Sequence, residues 1–332
     1  MPPSIGVLLA EIVIGATLLS SASAQSAEVD LGRVDPPMDQ DGFLSFEGTA
    51  TPGSGRGNIG LHTGYALQPA GVAVDHRVVG VAFAQVGVGG RVAIGLRVPT
   101  LLYADEGRER AVGDPTLVVR ARIFGRPTTS RFLPEGSGLA LRLSVRAPAG
   151  QERAQISEDQ LVLDAHLLAD WRALGFGFGL MAGWRFRPER REVAGVGIDD
   201  ELHFGLALEL PFPFYAAMSF PLEVRGAIDA SAPFARSRQT AVEGLLGIRL
   251  RLPRVALTLL LGRRHSPGLG NPRVRATLTL TWKPRVWDLD GDGIRDRRDS
   301  CPHEPEDSLD RDGCPGSSLA RSRADGFTPD RP

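Results

Sequence analysis

The stretch RVRATLTLTW, residues 273–282, has the simplest pattern in the chain, because each second residue belongs to the same chemical class. Two arginines and three threonines alternate with apolar residues that end at Trp282. Side chains of a β-strand point to opposite faces in turn, so one face of this strand is polar and the other is apolar. The uncharged apolar face is about ten residues long, the length of a tilted strand that crosses a bilayer.

The same alternation recurs from residue 58 onward. LALRLSVRA (139–147), GFGFGLMAGWRF (175–186) and ELHFGLALEL (201–210) each place large apolar residues at alternate positions. We count about twelve such segments, each long enough to be a strand of a transmembrane barrel. The strands are predicted at residues 58–67, 76–86, 91–103, 115–124, 137–148, 160–172, 175–187, 200–210, 218–230, 240–252, 254–264 and 272–282.

The connections between these strands alternate in length. GVGG (87–90), AL (173–174) and PR (253–254) are short, whereas ADEGRERAVGD, PERREVAGVGID and SAPFARSRQ, on the opposite side, are long and polar. Outer-membrane barrels have short periplasmic turns and long extracellular loops. GRPTTSRFLPEG (125–136) is the exception, since it is long for a periplasmic turn. An even number of strands then places the C-terminal tail in the periplasm.

We therefore predict an all-β fold, a transmembrane antiparallel up-and-down β-barrel of about twelve strands that covers residues 58–283. The alternative is a soluble β-sandwich, whose strands alternate in the same way with the polar face in water. The barrel is favoured because the apolar faces are almost free of charge over whole strands. A sandwich would also have to fit many rows of leucine and phenylalanine into one narrow core.

The N-terminal sequence predicts export. An apolar run ends in Ala22-Ser23-Ala24, which is typical of a cleavage site, so residues 1–24 are predicted to be a signal peptide. A buried N-terminal helix or strand is the alternative. Residues 25–57 are rich in proline, glycine and acidic residues without a sustained period, and they are predicted to be a linker or a plug-like segment.

Charged side chains are expected in the interior of the barrel if the polar faces point inward. Such charges must be paired or hydrated. The interior is therefore either a salt-bridged core that stabilises the barrel or a narrow pore whose basic wall selects anions. The predicted interior residues are Arg91, Arg97, Arg120, Arg122, Arg142, Arg146, Asp164, Asp170, Glu201, Glu209, Glu223, Arg225, Asp229, Glu243, Arg249, Arg273 and Arg275.

Two classes of function are excluded by the residues present. The formal net charge of −1 provides no excess of positive charge for nucleic acid. Barrel phospholipases need a serine and a histidine side by side with an orienting group. The histidines here are scattered, and the one close pair, His265 and Ser266, would point to opposite faces of a strand. The protein is predicted not to be an enzyme.

The stretch DLDGDGIRDRRDSCP (288–302) is the densest group of potential metal ligands. Carboxylates at alternate positions converge on one calcium ion when the chain turns sharply, and glycine at the sixth position permits that turn. We predict that Ca²⁺ is bound here, with a backbone carbonyl at the seventh position. The alternative is a solvated acidic linker that binds nothing specific. The predicted ligands are Asp288, Asp290, Asp292, Ile294, Asp296 and Asp299.

This stretch resembles the thrombospondin type 3 repeat, whose pattern D-x-D-x-D-G-x-x-D-x-x-D-x-C-P it fills through Cys301 and Pro302. The resemblance implies calcium binding and a disulfide between Cys301 and Cys314. It covers residues 284–316, whose degenerate second half contributes Asp310 and Asp312 to a second, weaker site. Residues 317–332 are predicted to be a disordered tail.

A barrel followed by such a repeat is similar to the OmpA-like outer-membrane protein family. The resemblance implies a barrel surrounded by outer-membrane lipid in a Gram-negative bacterium, with a structural role in the envelope. A narrow porin-like channel or transporter for small polar or anionic solutes is the alternative. The family's peptidoglycan-binding domain has no counterpart after Pro315. A periplasmic envelope or peptidoglycan-associated protein is therefore the expected partner of the tail.

Overall fold

A computed structural model describes residues 36–39, 41–53, 55–69, 75–105, 110–125, 136–151, 157–158, 160–193, 196–234, 239–252, 254–283 and 300–301. The strands within these ranges are β1 (Gly57–Pro69), β2 (His76–Val88), β3 (Val92–Ala104), β4 (Ala111–Val112), β5 (Thr116–Gly125), β6 (Gly136–Arg146), β7 (Val162–Ala173), β8 (Phe176–Phe186), β9 (Arg191–Val193), β10 (Val196–Ile198), β11 (Glu201–Pro211), β12 (Met218–Asp229), β13 (Thr240–Arg251), β14 (Val255–Arg264) and β15 (Pro272–Trp282). Within these same ranges, no helix has the length and the apolar character that a membrane crossing requires.

Twelve of the strands form a closed antiparallel barrel. Each pairs with the next of these twelve strands along the chain, and β1 pairs with β15 from Ile59 opposite Trp282 to Pro69 opposite Pro272. The short β4 extends the edge of β3, and β9 and β10 form a separate hairpin between β8 and β11. The predicted all-β barrel of about twelve strands is confirmed, and a sandwich is excluded because the pairing closes into a ring.

The outer surface of the barrel is apolar. On β14, Leu257, Leu259 and Leu261 are 40%, 48% and 49% exposed, whereas Leu260, which points inward, is 2% exposed. The other long strands repeat this pattern, and large aromatic side chains such as Trp171, Trp184 and Trp282 lie near the ends of strands. A continuous apolar band with aromatic side chains at its borders is the surface that a barrel presents to lipid.

The two ends of the barrel differ in their connections. At one end, β2 is joined to β3 by Gly89–Arg91 and β7 to β8 by Leu174 and Gly175. Leu174 and Gly175 both have positive φ (53° and 82°), the geometry that a two-residue hairpin turn with the native strand twist requires. We call this the short-turn end. The opposite end, which carries the connections β3–β5, β6–β7 and β8–β11, is the long-loop end.

The interior is filled from the short-turn end by residues 36–39 and 41–53, here called the plug segment. Phe43 is completely buried, and Met38, Leu44 and Phe46 are also buried among inward-facing wall residues. The sequence predicts either a linker or a plug-like segment for residues 25–57, and within that region residues 36–39 and 41–53 lie inside the barrel. The predicted signal peptide lies outside the described residues and stays a prediction.

Candidate functional site

The apolar side chains of the plug segment occupy places where the wall has no side chain. The four places, here called the glycine notches, are the inward-facing residues Gly95, Gly179, Gly205 and Gly247, each on a different strand. A Cβ at Gly95 would lie 2.7 Å from Met38, one at Gly205 would lie 2.9 Å from Phe46, and one at Gly247 would lie 2.9 Å from Leu44. Phe43 fits against Gly179 more closely still. The wall and the plug segment are therefore complementary in shape.

The backbone of the plug segment is held by charged side chains of the wall. Glu223 on β12 accepts hydrogen bonds from the N–H groups of Leu44 (2.8 Å) and Ser45 (3.0 Å), as well as from the Ser45 hydroxyl. Arg249 on β13 donates to the carbonyl oxygens of Gly42 (2.5 Å) and Phe43 (2.6 Å). Irregular backbone in a lumen needs such partners, because its own polar groups are not paired within a sheet.

Two residues of β7 also hold the plug segment. Asp170 on β7 accepts hydrogen bonds from the N–H (3.0 Å) and the hydroxyl (2.5 Å) of Thr49. The guanidinium of Arg172 lies 4.6 Å above the ring of Phe43 and donates to the carbonyl of Asp41. This position allows a cation–π interaction in addition to the hydrogen bond.

The three acidic residues of the plug segment each face a basic residue of the barrel. Glu47 pairs with Arg97 and, at 3.1 Å, with Arg142. Asp39 pairs with Arg120 at 2.5 Å, and Asp41 lies 3.6 Å from Lys283, just after β15. Buried charges persist only when they are paired, so the plug segment supplies part of the counter-charge of the wall.

A cluster around Glu209 on β11 lies next to the plug segment. Its carboxylate accepts hydrogen bonds from Arg172 (2.9 Å), Arg251 (2.6 Å) and Ser219 (2.5 Å), and Arg249 lies 3.5 Å away. Arg172 and Arg249 also hold the plug segment, so this cluster links the two parts of the interior.

A second layer of ion pairs lies toward the long-loop end. Asp164 on β7 pairs with Arg185 on β8 at 2.6 Å. Glu158, in the β6–β7 loop, pairs with Arg187 just after β8, and Arg187 also lies 3.2 Å from Glu201 on β11. Burial would raise the pKa of Glu158, but the Arg187 guanidinium outweighs that effect and holds the pKa below its ordinary value. The pair of Glu158 and Arg187 therefore attaches the β6–β7 loop to the wall.

Asp114, between β4 and β5, is a loop carboxylate that is held by hydrogen bonds from neutral donors. Its oxygens accept hydrogen bonds from the N–H of Gly150 (2.8 Å), the hydroxyl of Ser157 (2.7 Å) and the N–H of Glu158 (2.6 Å). Burial raises the pKa of Asp114 despite these hydrogen bonds. Asp114 and Arg187 therefore hold the β6–β7 loop from opposite sides.

On the far side of the lumen, Glu243 on β13 pairs with Arg275 (2.9 Å) and lies 3.6 Å from Arg225. Asp229 accepts hydrogen bonds from Ser231 and Ala232 in the loop that follows β12. Within the part of the chain that the structure describes, no group of three or more His, Cys, Asp or Glu side chains is arranged to hold a metal ion.

The structure locates all of the predicted interior residues. Arg91 is exposed in the turn before β3, and Arg273 is exposed at the long-loop end of β15. The others are buried or half-buried on the inner face, namely Arg97, Arg120, Arg122, Arg142, Arg146, Asp164, Asp170, Glu201, Glu209, Glu223, Arg225, Asp229, Glu243, Arg249 and Arg275.

Several interior residues are not among those that the sequence predicts. Arg172 and Arg251 each lie two residues from a predicted interior residue of the same strand, so alternation also places them on the inner face. Glu158, Asp39 and Glu47 lie outside any strand, and alternation gives no information about them. The glycine notches carry a weaker signal, since glycines such as Gly179 and Gly205 interrupt the inward faces of otherwise regular strands.

The predicted calcium ligands and Cys314 lie outside the described residues. Calcium binding and the disulfide of Cys301 therefore stay predictions. The repeat as a whole and its second site at Asp310 and Asp312 also stay predictions.

Comparisons with known proteins bear on the fold. No protein-family model and no curated protein matches the sequence. An outer-membrane channel from Pseudomonas putida F1 superposes with a TM-score of 0.54 at 11% identity, over 71% of this chain and 98% of that chain. The fold is that of an outer-membrane β-barrel. CdiB from Acinetobacter baumannii (TM-score 0.36, 10% identity, 69% of this chain and 60% of that chain) superposes less well. LpxR from Salmonella typhimurium gives a TM-score of 0.36 at 10% identity, over 68% of this chain and 99% of that chain.

Proposed function

We propose that this protein is a non-enzymatic channel of the outer membrane for small polar or anionic solutes, closed in this conformation by the plug segment. The observation that carries the proposal is the fit of Met38, Phe43, Leu44 and Phe46 into the glycine notches. The short-turn end then faces the periplasm and the long-loop end faces the exterior.

The glycine notches favour a removable plug over a permanent core. A barrel of eight strands is filled by its own side chains, whereas about twelve strands leave a wider lumen. Here four inward-facing wall positions are glycines where the apolar side chains of the plug segment lie. Withdrawal of the plug segment would therefore leave a gap through the short-turn half of the barrel.

The charges around the plug segment favour anionic solutes. The wall residues that contact it include Arg97, Arg120, Arg142, Arg172 and Arg249. Only Glu223 and Asp170 are wall carboxylates with hydrogen bonds to it among the described contacts. A passage with an excess of fixed positive charge concentrates anions.

A structural role in the envelope is the second candidate. The buried pairs Asp164–Arg185 and Glu158–Arg187 would stabilise a barrel that never conducts. In this alternative the apolar outer surface of the barrel anchors the protein in the membrane. The C-terminal repeat would bind calcium in the periplasm and contact an envelope partner.

Conductance recordings in planar bilayers distinguish the two candidates. We expect rare openings for the wild-type protein and frequent openings for Phe43→Ala/Phe46→Ala, which weakens the fit of the plug segment. Phe178→Ala, on the lipid-facing side of β8, is the matched control and should behave as wild type. Absence of conductance steps in all three proteins would favour the structural role.

A further inference from the structure

Three arginines lie together on neighbouring strands of the inner wall. Arg120 on β5 and Arg142 on β6 are direct partners in the strand register, and Arg97 lies on β3, which pairs with β5. All three are buried. Like charges opposite each other on adjacent strands repel, and buried charges need opposite charge close by. We call these residues the three-arginine site.

The plug segment brings two carboxylates to the three-arginine site. Glu47 uses one oxygen for Arg97 and the other for Arg142, so it bridges two arginines. Asp39 pairs with Arg120, whose second terminal nitrogen donates to the carbonyl of Gly48 at 3.0 Å. His166 lies 3.1 Å from Arg142 and helps to position its guanidinium.

We propose that the three-arginine site is an anion-binding site, and that the plug segment occupies it as a mimic of an anionic ligand. The ligand class is a small oxyanion with two or more charged oxygens, such as sulfate, phosphate or a dicarboxylate. Such groups match the planar donors of arginine in the way that the carboxylate of Glu47 does. The proposal rests on the proposed function, because the ligand is taken to be a permeating solute.

Because the anion and the plug segment compete for the three-arginine site, anion binding opens the channel. A ligand that binds only when the plug segment has left shifts the equilibrium toward the open state. Above its dissociation constant, the ratio of open to closed states should rise about tenfold for each tenfold rise in anion concentration.

The experiment uses the full-length protein in planar bilayers at constant ionic strength, with chloride replaced stepwise by sulfate. Constant ionic strength matters because general screening also weakens ion pairs. We expect the open-to-closed ratio to rise with sulfate in the wild type and in the control Arg273→Gln. In Arg120→Gln/Arg142→Gln the dependence on sulfate should disappear. Asp39→Asn/Glu47→Gln should open readily without sulfate.

A second measurement follows the plug segment without conductance. In Ser45→Cys, a buried position, the rate at which a maleimide labels residue 45, read on the proteolytic peptide that contains it, reports departure of the plug segment from the wall. Sulfate should accelerate labelling several-fold relative to chloride at equal ionic strength. No acceleration would overturn the inference. Conductance by Phe43→Ala/Phe46→Ala together with a wild type that ignores sulfate would also overturn it. Acceleration without conductance in any variant would support anion binding and reject the channel.

Discussion

Glu158 and Arg187 form a two-point ion pair between a loop and the wall of the barrel. The two carboxylate oxygens of Glu158 accept hydrogen bonds from Arg187 Nε at 2.8 Å and from Nη2 at 3.0 Å. Both side chains are almost completely buried. The connection between β6 and β7 is thus fixed to the end of β8, which lies two strands away from β6.

Replacement of Glu158 by glutamine should release this loop. Loss of one partner from a buried ion pair costs about 3–5 kcal/mol, because the remaining charge stays buried. We expect limited proteolysis to cut the β6–β7 loop of Glu158→Gln much faster than that of the wild type, while the barrel strands stay protected. Glu189→Gln, at an exposed site nearby, is the control. Equal cleavage rates for all three proteins would contradict the prediction.

The attachment of the loop should depend on pH through two carboxyls with opposite shifts. Glu158 has a lowered pKa, so its contribution is present above its ordinary value of about 4.3 and is lost as the pH falls through the lowered value. Asp114 has a raised pKa, so its contribution is complete below about 3.9 and is lost as the pH rises through the raised value.

Hydrogen exchange of the β6–β7 loop, measured over a range of pH and corrected for intrinsic rates, checks the direction of the pH dependence for both carboxyls. The wild-type loop should stay protected through mildly acidic pH and lose protection below about pH 4. The loss at low pH should be smaller in Glu158→Gln. Asp114→Asn should show less change with pH above the ordinary range of aspartate. Identical profiles in all three proteins would show that neither group titrates with folding.

A methyl group in a glycine notch should displace the plug segment. Gly205→Ala would place a Cβ 2.9 Å from the Phe46 ring, and overpacking of this kind costs about 1–3 kcal/mol. Gly64→Ala is the matched control, since a Cβ there would meet its nearest neighbours at 3.5 Å. We expect faster proteolysis within the plug segment for Gly205→Ala only. Unchanged proteolysis would mean that the wall yields instead of the plug segment.

The apolar outer surface of the barrel predicts that the cost of a charged substitution depends on its depth in the bilayer. Leu259→Arg, in the middle of β14, should lower the free energy of unfolding by about 2–4 kcal/mol, because an arginine at the centre of a bilayer is poorly solvated. Leu252→Arg, beside a short turn, should cost no more than about 1 kcal/mol. Urea unfolding from liposomes measures both values, and similar costs at the two sites would argue against the proposed membrane position.

The C-terminal repeat predicts calcium binding. Titration calorimetry of the full-length protein should show heat on addition of calcium, and Asp290→Asn/Asp292→Asn should abolish it because two hard oxygen ligands lose their charge. Asp325→Asn, outside the predicted loop, is the control. A wild-type titration without heat or ordering would remove the calcium prediction.

The sequence contains enough information for the strands of this barrel but not for its interior. Alternation is a local property, and the predicted barrel strands agree with those of the structure to within two residues at each end. The contacts of the plug segment are not local, since Ser45 and Glu223 are 178 residues apart. Alternation assigns Glu223 to the inner face but cannot say which group it meets. The hairpin of β9 and β10 is too short for any period to be detected.

The position of the plug segment at the start of the chain has a consequence for assembly. Its partners Glu223 and Arg249 lie on β12 and β13, and β1 closes the ring only by pairing with β15. The carbonyls of Gly42 and Phe43 therefore find their donors only after most of the chain has been synthesised. Contacts of such long sequence separation form slowly. A barrel that stalls before β13 leaves Leu44 without Leu245 and Leu260, and leaves two buried carbonyls without a donor, so the first residues to enter the lumen are the last to be satisfied.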